Sequence, residues 1–243
     1  FPDKSFVQGI GIFNDAGFEV HTRDKNADII YVSPSHMTRW GDVMSNKRRL
    51  ELVEYSFNNN STVIEDDYEN DFLYNVKPTP ALFTLGHGNV IYIGSFSAML
   101  LPGIRISFMV LNDKLTKLYN QNKYKFAQTA SKTEQIALCQ YIRDGHINSQ
   151  TRKIRRLYSN KTKDFYSILK KEFPNAQISI SENTLQIIMS VKFNKDIEVF
   201  EKSSISLFVE KYENGLITIV LSPSGIPSSK LLEGAKTLRK TIE

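Results

Sequence analysis

Residues 90–98 read Val-Ile-Tyr-Ile-Gly-Ser-Phe-Ser-Ala, an apolar run that passes directly into small hydroxyl-bearing residues. Two other short apolar runs lie upstream, Ala-Asp-Ile-Ile-Tyr-Val at 27–32 and Thr-Val-Ile at 62–64. Runs of this length and composition are typical of strands that are buried on both faces of a parallel sheet. Because helical patterns separate them, the sequence predicts an α/β fold with a mainly parallel sheet.

The elements around these strands follow from capping and periodicity. Ser45 is placed to cap a helix that runs to about Asn58, with Leu50, Val53 and Phe57 directed inward. A fourth strand is predicted over residues 105–110. Only a short turn precedes it, and a connection that short favours an antiparallel pairing.

The second half of the chain has a different texture. Residues 113–171 have a helical pattern, and after Phe173-Pro174 short strands alternate with short helices up to a last helix from about Ser228. This pattern predicts a small C-terminal α+β domain. We expect a large domain over residues 1–125, and linking helices with the small domain over residues 126–243.

Composition restricts the class of protein. The chain has 243 residues, 41% hydrophobic and 23% charged, which is ordinary for a globular protein. Its apolar runs are shorter than a membrane span, so we expect no membrane association. The single cysteine, Cys139, cannot form a disulfide within the chain and favours a cytoplasmic location. Cys139 lies in a helical apolar pattern, so we expect it to be a buried structural thiol.

Charge is unevenly distributed along the chain. The net charge is +5, but residues 112–172 contain 14 Lys and Arg against 5 Asp and Glu. One interpretation is a set of solvated helix faces. The other is a surface that lies near nucleic acid. The sequence alone leaves both open.

Polar side chains follow the predicted strands. Residues 33–36, 65–68 and 95–97 each come after an apolar run, and Arg105 begins the fourth strand. Ligands of open α/β sheets bind beyond the carboxyl ends of the strands. An acid, a phenol, hydroxyls and a guanidinium at that edge suit a phosphorylated heteroaromatic ligand. Taken singly, Asp66 and Tyr68 could instead form a solvated turn, and Arg105 could be a surface ion-pair partner.

Several segments carry a family resemblance, in matching order and spacing. They are residues 31–36 (YVSPSH), 64–72 (IEDDYENDF), 92–105 (YIGSFSAMLLPGIR), 141–146 (YIRDGH) and 152–158 (RKIRRLY). These segments resemble the aminotransferase-like domain of the MocR branch of GntR-type transcription regulators. The resemblance extends over essentially the whole chain. It implies part of a fold-type-I aminotransferase large domain and its small domain, with pyridoxal 5'-phosphate as cofactor.

The resemblance also assigns roles to individual residues. Asp66 would pair with the pyridine nitrogen of the cofactor, and Tyr68 would hydrogen-bond its ring hydroxyl. Ser95 and Arg105, helped by Ser97, would hold the phosphate. His36 would either line the pocket or make a structural hydrogen bond. We expect no metal site, because the acidic residues at 65–71 lack the glycine that turns a calcium loop.

Two departures from the family pattern bear on function. The family has a lysine directly after Ser-Phe-Ser, where this chain has Ala98. An alanine cannot bond the cofactor covalently or act as its base, so we expect negligible transamination. The chain also has no arginine between Phe200 and Leu238, where aminotransferases bind the substrate carboxylate. The resemblance therefore assigns no arginine of this chain to the carboxylate of an amino-acid effector.

Two functions remain open at this point. The first is a regulatory domain that binds pyridoxal phosphate or its amine adduct non-covalently, senses an amine or amino-acid effector, and acts as a homodimer. We expect the winged helix-turn-helix that contacts DNA, and the first part of the large domain, to lie outside this chain. The alternative is an aminotransferase inactivated by a Lys-to-Ala change at position 98. A degenerate protein that no longer binds the cofactor is a third interpretation.

Overall fold

A computed structural model describes residues 1–2, 6–24, 26–37, 42–67, 79–86, 88–181, 184–201 and 207–243. The chain forms two compact units, with most of residues 1–150 in the first unit and residues 151–243 in the second. The division falls inside one long helix. The domain boundary expected near Lys125 stays a prediction, since a division by contacts does not show which segments fold independently.

The first unit alternates helices and strands. In chain order the elements are α1 (Val7–Asp15), β1 (Ile29–Val32), α2 (Asn46–Asn58), β2 (Thr62–Asp66), α3 (Leu82–Leu85), β3 (Val90–Ser95), a 3₁₀ turn (Pro102–Ile104), β4 (Ser107–Val110), α4 (Asp113–Asn122), a 3₁₀ turn (Lys123–Lys125), α5 (Lys132–Arg143) and the start of α6 (His146–Glu172). The Ser45 side chain caps α2 by accepting from the Arg48 N–H, as predicted.

One sheet of order β1-β2-β3-β4 organises this unit. The pairs β1–β2 and β2–β3 are parallel, whereas β3–β4 is antiparallel. The mainly parallel α/β fold is therefore confirmed. Val32, Val53, Val63, Leu82 and Val90 form its buried apolar cluster between the sheet and helices α2 and α3.

The inward face of α2 differs from the prediction. Leu50 is 49% exposed and Phe57 is 56% exposed, so the expectation that both point inward was wrong. Arg49 is buried instead, together with Val53 and Ser56. The helix is rotated about its axis because the Arg49 guanidinium finds polar partners beneath it, which apolar periodicity alone does not reveal.

Arg49 and Glu65 form a buried polar network between α2, β2 and α3. Arg49 Nε donates to the Met44 carbonyl at 3.1 Å and Nη1 to the Pro80 carbonyl at 3.0 Å. The Glu65 carboxylate lies 3.7 Å from Nη1 and accepts the backbone N–H groups of Leu82 and Phe83 at 2.9 and 3.0 Å. Burial raises the pKa of Glu65 and lowers the pKa of Arg49, while their mutual attraction opposes both shifts.

We predict that Glu65→Gln lowers the free energy of unfolding by about 3 kcal/mol, because it leaves a buried guanidinium without its nearest counter-charge. Urea denaturation followed by circular dichroism measures this loss. The matched control is Glu51→Gln, which removes the exposed partner of Lys47 and should cost no more than about 0.5 kcal/mol. Equal losses in the two variants would show that the network does not stabilise the fold.

The second unit consists of helices and one antiparallel sheet. It contains the rest of α6, followed by β5 (Gln177–Ile180), β6 (Ile187–Lys192), α7 (Glu198–Glu201), β7 (Phe208–Glu213), β8 (Leu216–Leu221), a 3₁₀ turn (Ser228–Lys230) and α8 (Leu231–Ile242). The strand order is β5-β6-β8-β7. Alternate residues of β6 and β8 meet buried side chains of α6 and α8 in a single core. The predicted α+β character of this region is confirmed.

A two-residue turn joins β7 to β8. Asn214 and Gly215 both have positive φ, 53° and 71°. Two successive residues of this kind form the type I′ turn that matches the twist of a hairpin. Glycine is required at the second position because an added Cβ is strained at positive φ.

We predict that Gly215→Ala lowers the free energy of unfolding by about 1 kcal/mol through this strain. The control makes the same chemical change in the same unit. Gly234 lies inside α8, where a Cβ would meet only Ile226 at 3.8 Å, an ordinary contact. Gly234→Ala should therefore stabilise the chain by about 0.5–1 kcal/mol. Thermal unfolding of both variants measures the two effects, and shifts of the same sign would show that backbone strain is not the cause.

Two further findings concern helices. Cys139 is exposed, so its expected burial was wrong. In α5 the buried residue is its neighbour Leu138. Over the described residues, none of the helices is both long enough and apolar enough to cross a lipid bilayer.

Candidate functional site

Polar residues collect where the three parallel strands end. β1, β2 and β3 end at Val32, Asp66 and Ser95, and their carboxyl ends lie at the same edge of the sheet because the strands are parallel. The chain returns to this edge at the start of β4. The observed strand order therefore puts the polar residues that follow these three strands at one edge of the sheet.

Asp66 ends β2 on the sheet face that also bears Tyr31. Its neighbour in the ladder on β3 is Ile93, and the Tyr31 hydroxyl donates a hydrogen bond to Asp66 Oδ2. The Tyr31 ring is buried and stacks with Phe1 and Phe6, whose ring centroids lie 4.7 and 5.5 Å away. Burial raises the pKa of Asp66; the Tyr31 hydrogen bond opposes this shift and the nearby Asp67 adds to it.

The pleat of β2 separates Asp66 from the acids on either side. Side chains alternate between the two faces of a strand, so Glu65 and Asp67 lie opposite Asp66. Asp67 accepts a hydrogen bond from the Tyr92 hydroxyl at 3.0 Å and is buried. Its other carboxylate oxygen has no hydrogen-bond partner among the residues that the structure describes. Of these three acids, only Asp66 shares the face of Tyr31.

Ser95 lies on the same face as Asp66, one strand further along the sheet. It ends β3 opposite Ser107 of β4, two positions beyond the residue that pairs with Asp66. The Ser97 N–H donates to the Ser95 hydroxyl oxygen at 3.1 Å, and the Phe96 N–H donates to the Ile106 carbonyl at 3.1 Å. These bonds form a tight turn at the end of β3, and the start of β4 lies beside it.

Arg105 has an unusual backbone conformation at this turn. It follows the 3₁₀ turn Pro102–Ile104 with φ 48° and ψ 36°, in the left-handed region. Residues other than glycine reach this region only at a cost, and such residues concentrate at functional sites. The fourth strand consequently begins at Ser107, so the prediction that it begins at Arg105 was wrong. Arg105 is exposed at the edge that bears Ser95.

The remaining predicted residues are placed as follows. His36 is half-buried in the turn after β1, where its backbone N–H donates to the Ser33 carbonyl at 2.9 Å. Ala98 is exposed just after Ser97. Tyr68 lies outside the described residues. Within the described ranges, no group of His, Cys, Asp and Glu side chains could hold a metal ion.

A cleft of about 1110 Å³ runs along the free edge of β1. Tyr31 and Val32 form part of its wall, together with Arg48, Leu52 and Tyr55 of α2. Asp66, Ser95 and Arg105 are not in this lining. The polar edge therefore borders this cleft through Tyr31.

Comparison with known proteins shows which family the chain belongs to. The chain is 30% identical to the HTH-type transcriptional regulator YdeL of Bacillus subtilis, over 89% of this chain and 49% of the relative. It is 27% identical to the probable rhizopine catabolism regulatory protein MocR of Rhizobium meliloti, over 88% of this chain and 45% of that protein. The chain is an aminotransferase-like domain of the MocR type. It spans about half the length of the curated relatives that it matches. No protein-family model matches it.

The fold of this MocR-type domain is that of fold-type-I aminotransferases. The crystal structure of a multiple substrate aminotransferase from Thermococcus profundus superposes with a TM-score of 0.69 at 20% identity, covering 98% of this chain and 60% of that one. Identity at this level shows the fold alone. The predicted architecture, with part of the large domain and the small domain, is thereby confirmed.

The hydrogen bond between Tyr31 and Asp66 was not predicted from the sequence. In the sequence, Tyr31 belongs to the apolar run of the first predicted strand, and nothing there indicates a polar partner for its hydroxyl. Register supplies the missing information, because Tyr31 pairs with Ile64, whose side chain shares a face with Asp66 two positions further on.

We predict that Tyr31→Phe raises the pKa of Asp66 further, because it removes the hydrogen bond that lowers it and keeps the stacked ring. A carboxyl whose pKa is raised by folding stabilises the fold below its unfolded pKa, and this contribution is lost as pH rises through the folded pKa. The free energy of unfolding of Tyr31→Phe should therefore fall more steeply with rising pH than that of the parent.

Carbon-13 NMR titration of the Asp66 carboxyl, with urea unfolding at several pH values, measures both effects. The control is Tyr92→Phe, which removes the hydrogen bond to Asp67 on the opposite face. It should move the Asp66 pKa less than Tyr31→Phe does. An Asp66 pKa that is the same in Tyr31→Phe and in the parent would contradict the assignment.

Proposed function

We propose that this chain is the cofactor- and effector-binding domain of a MocR/GntR-family transcription regulator. In this proposal it binds pyridoxal 5'-phosphate, or the adduct of that cofactor with an amine, without a covalent bond. Its occupancy controls a winged helix-turn-helix that binds DNA and that we place outside these 243 residues. The protein would act in the cytoplasm as a homodimer.

The donor set at the carboxyl edge supports the cofactor. Asp66 and Ser95 lie on one face of adjacent strands, about 8 Å apart by strand spacing and rise. An acid at one end suits a ring nitrogen, and a hydroxyl at the other end, with Arg105 two residues before the strand partner of Ser95, suits a phosphate. Tyr68, Ser97 and His36 are assigned to this pocket by the family resemblance.

Ionisation of Asp66 decides how well it can hold a pyridine nitrogen. Burial favours the neutral carboxyl, and the Tyr31 hydroxyl favours the carboxylate. A carboxylate beside the ring nitrogen keeps that nitrogen protonated, which strengthens the hydrogen bond by charge. When bound, pyridoxal phosphate supplies an electron sink and an aldehyde that reacts with amines.

The observation that most favours a regulator over an enzyme is Ala98 at the position of the family's lysine. A methyl group there can neither bond the cofactor nor move a proton, so this chain's residues would bind and orient the cofactor but not turn it over. Occupancy would then act as a signal, by favouring one arrangement of the protein over another. The chain matches proteins named as HTH-type transcriptional regulators over most of its length, which supports DNA as the target of that signal.

We predict that the full-length protein binds pyridoxal phosphate reversibly, measured by the change in cofactor absorbance on titration. Asp66→Asn should weaken binding by roughly tenfold to a hundredfold, as expected for loss of a charge-assisted hydrogen bond. The control is Asp15→Asn, at an exposed position of α1, which should leave binding unchanged. No spectral change at excess cofactor in the parent protein would refute cofactor binding.

Restoring a lysine separates the regulator from the inactivated aminotransferase. Ala98 is exposed, so Ala98→Lys should fold normally. It should bond the cofactor covalently, detected as a mass increase after borohydride reduction. If Ala98→Lys also converts common amino acids to keto acids at the rates of an enzyme, the chain is an inactivated aminotransferase, and the regulatory proposal is wrong.

A further inference from the structure

The solvent-facing side of α6 carries a row of basic side chains that recurs along most of the helix. Successive residues of an α-helix are 100° apart around the axis, so Arg152, Arg156, Lys163 and Lys170 fall within about 40° of one another. Lys153 and Lys171 extend the row on one side. We call these six residues the α6 stripe.

All six residues of the α6 stripe are exposed. The buried residues of the helix, Thr162, Phe165 and Leu169, lie on the opposite side and pack into the second unit. Packing therefore fixes which side of α6 faces the solvent. Among the described residues, no ion pair joins a member of the α6 stripe to a carboxylate. The Glu172 carboxylate at the end of the helix pairs with Arg239 instead.

The charge of the second unit is concentrated in this helix. Residues 151–172 contain eight Lys and Arg against two Asp and Glu, whereas residues 173–243 contain eight of each. Like charges three or four positions apart destabilise a helix by a few tenths of a kcal/mol per pair. Exposed Asp164 lies beside Lys153 and Lys171 around the axis, but no acid of the helix falls on the side that bears Arg152, Arg156, Lys163 and Lys170. A solvated face that served only solubility would gain from interspersed acids there.

The dimensions of the α6 stripe suit a long, uniformly charged polyanion. From Arg152 to Lys171 it extends about 28 Å along the helix. Duplex DNA carries about one phosphate per 1.7 Å of its axis, so a straight basic row can neutralise several phosphates at once. Because the residues are arginines and lysines without regularly interleaved aromatics, the chemistry suits phosphates rather than stacked bases.

We propose that the α6 stripe binds the phosphate backbone of duplex DNA, so that the aminotransferase-like domain itself contacts the DNA. The choice of DNA among polyanions rests on the proposed regulatory function. The contact is independent of base sequence. It adds affinity and orients the domain along the duplex, while base recognition belongs to the winged helix.

The test is the salt dependence of DNA binding by the full-length protein. Fluorescence anisotropy with a labelled duplex of about 30 random base pairs, between about 50 and 200 mM salt, gives the slope of log K against log salt. In the variant Arg152→Gln/Arg156→Gln/Lys163→Gln the slope should shrink by about three, because each lost phosphate contact removes about 0.9. Affinity at the lowest salt should fall at least tenfold.

The matched control removes the same charge elsewhere in the second unit. Lys192→Gln/Lys236→Gln/Lys240→Gln changes three exposed lysines of β6 and α8 and should leave the slope within about one of the parent. An unchanged slope in the α6 stripe variant, or an equal loss in the control, overturns the proposal. Circular dichroism of both variants shows whether they are folded. If the stripe variant is misfolded, the single change Arg156→Gln, with an expected slope change of about one, replaces it.

Two further measurements distinguish duplex DNA from RNA and from an anionic membrane as the partner. Single-stranded RNA of the same length, and vesicles of phosphatidylcholine with phosphatidylglycerol, replace the duplex. If the α6 stripe variant loses binding to either while its DNA slope is unchanged, the surface serves that partner and the proposal fails. Pyridoxal phosphate titration of the same variant should match the parent, so failure of the cofactor proposal is detected separately from failure of this one.

Discussion

The buried pairing of Arg49 with Glu65 is the interaction on which the first unit depends. One carboxylate binds the guanidinium of α2 and also the first N–H groups of α3, so it joins two helices to β2, an inner strand of the sheet. Neither charge has an alternative in water, because both side chains are buried. The rotation of α2 and the position of α3 follow from this one contact. The strand that carries Glu65 also carries Asp66, so the same contact holds the candidate site in place.

The pleat of β2 places three consecutive acids alternately on the two faces of the strand, so that they meet different partners. Glu65 and Asp67 share the face opposite Asp66, where Glu65 pairs with Arg49 of α2 and one oxygen of Asp67 accepts the Tyr92 hydroxyl of β3. Asp66 points to the other face and meets Tyr31. A single-residue shift in register would exchange these roles, since it moves every side chain of the strand to the opposite face. Consecutive acids in the sequence can therefore have different partners on the two faces of one strand.

The turn after β3 combines a compact backbone with a residue that cannot react as a lysine would. The Ser97 N–H bonds the Ser95 hydroxyl, Arg105 lies in the left-handed region, and Ala98 carries only a methyl group. A strained backbone is retained only where the surrounding structure enforces it. The exposed basic side of α6 gives the same domain a second surface, on the other unit, through which a regulator could contact DNA.

The sequence by itself determined the α/β class, the strands whose ends form the polar edge, the small C-terminal α+β region and the identity of Asp66, Ser95, Ser97 and Arg105 as candidates. These follow from local information, namely apolar runs, caps and motif spacing. Tertiary structure alone decided that Arg49 is buried while Leu50, Phe57 and Cys139 are exposed, that Tyr31 bonds Asp66, and that Arg105 precedes the fourth strand in a left-handed turn. The reason is physical: these features depend on partners far away in the chain, and a buried charge or a rotated helix is favourable only when those partners are in place.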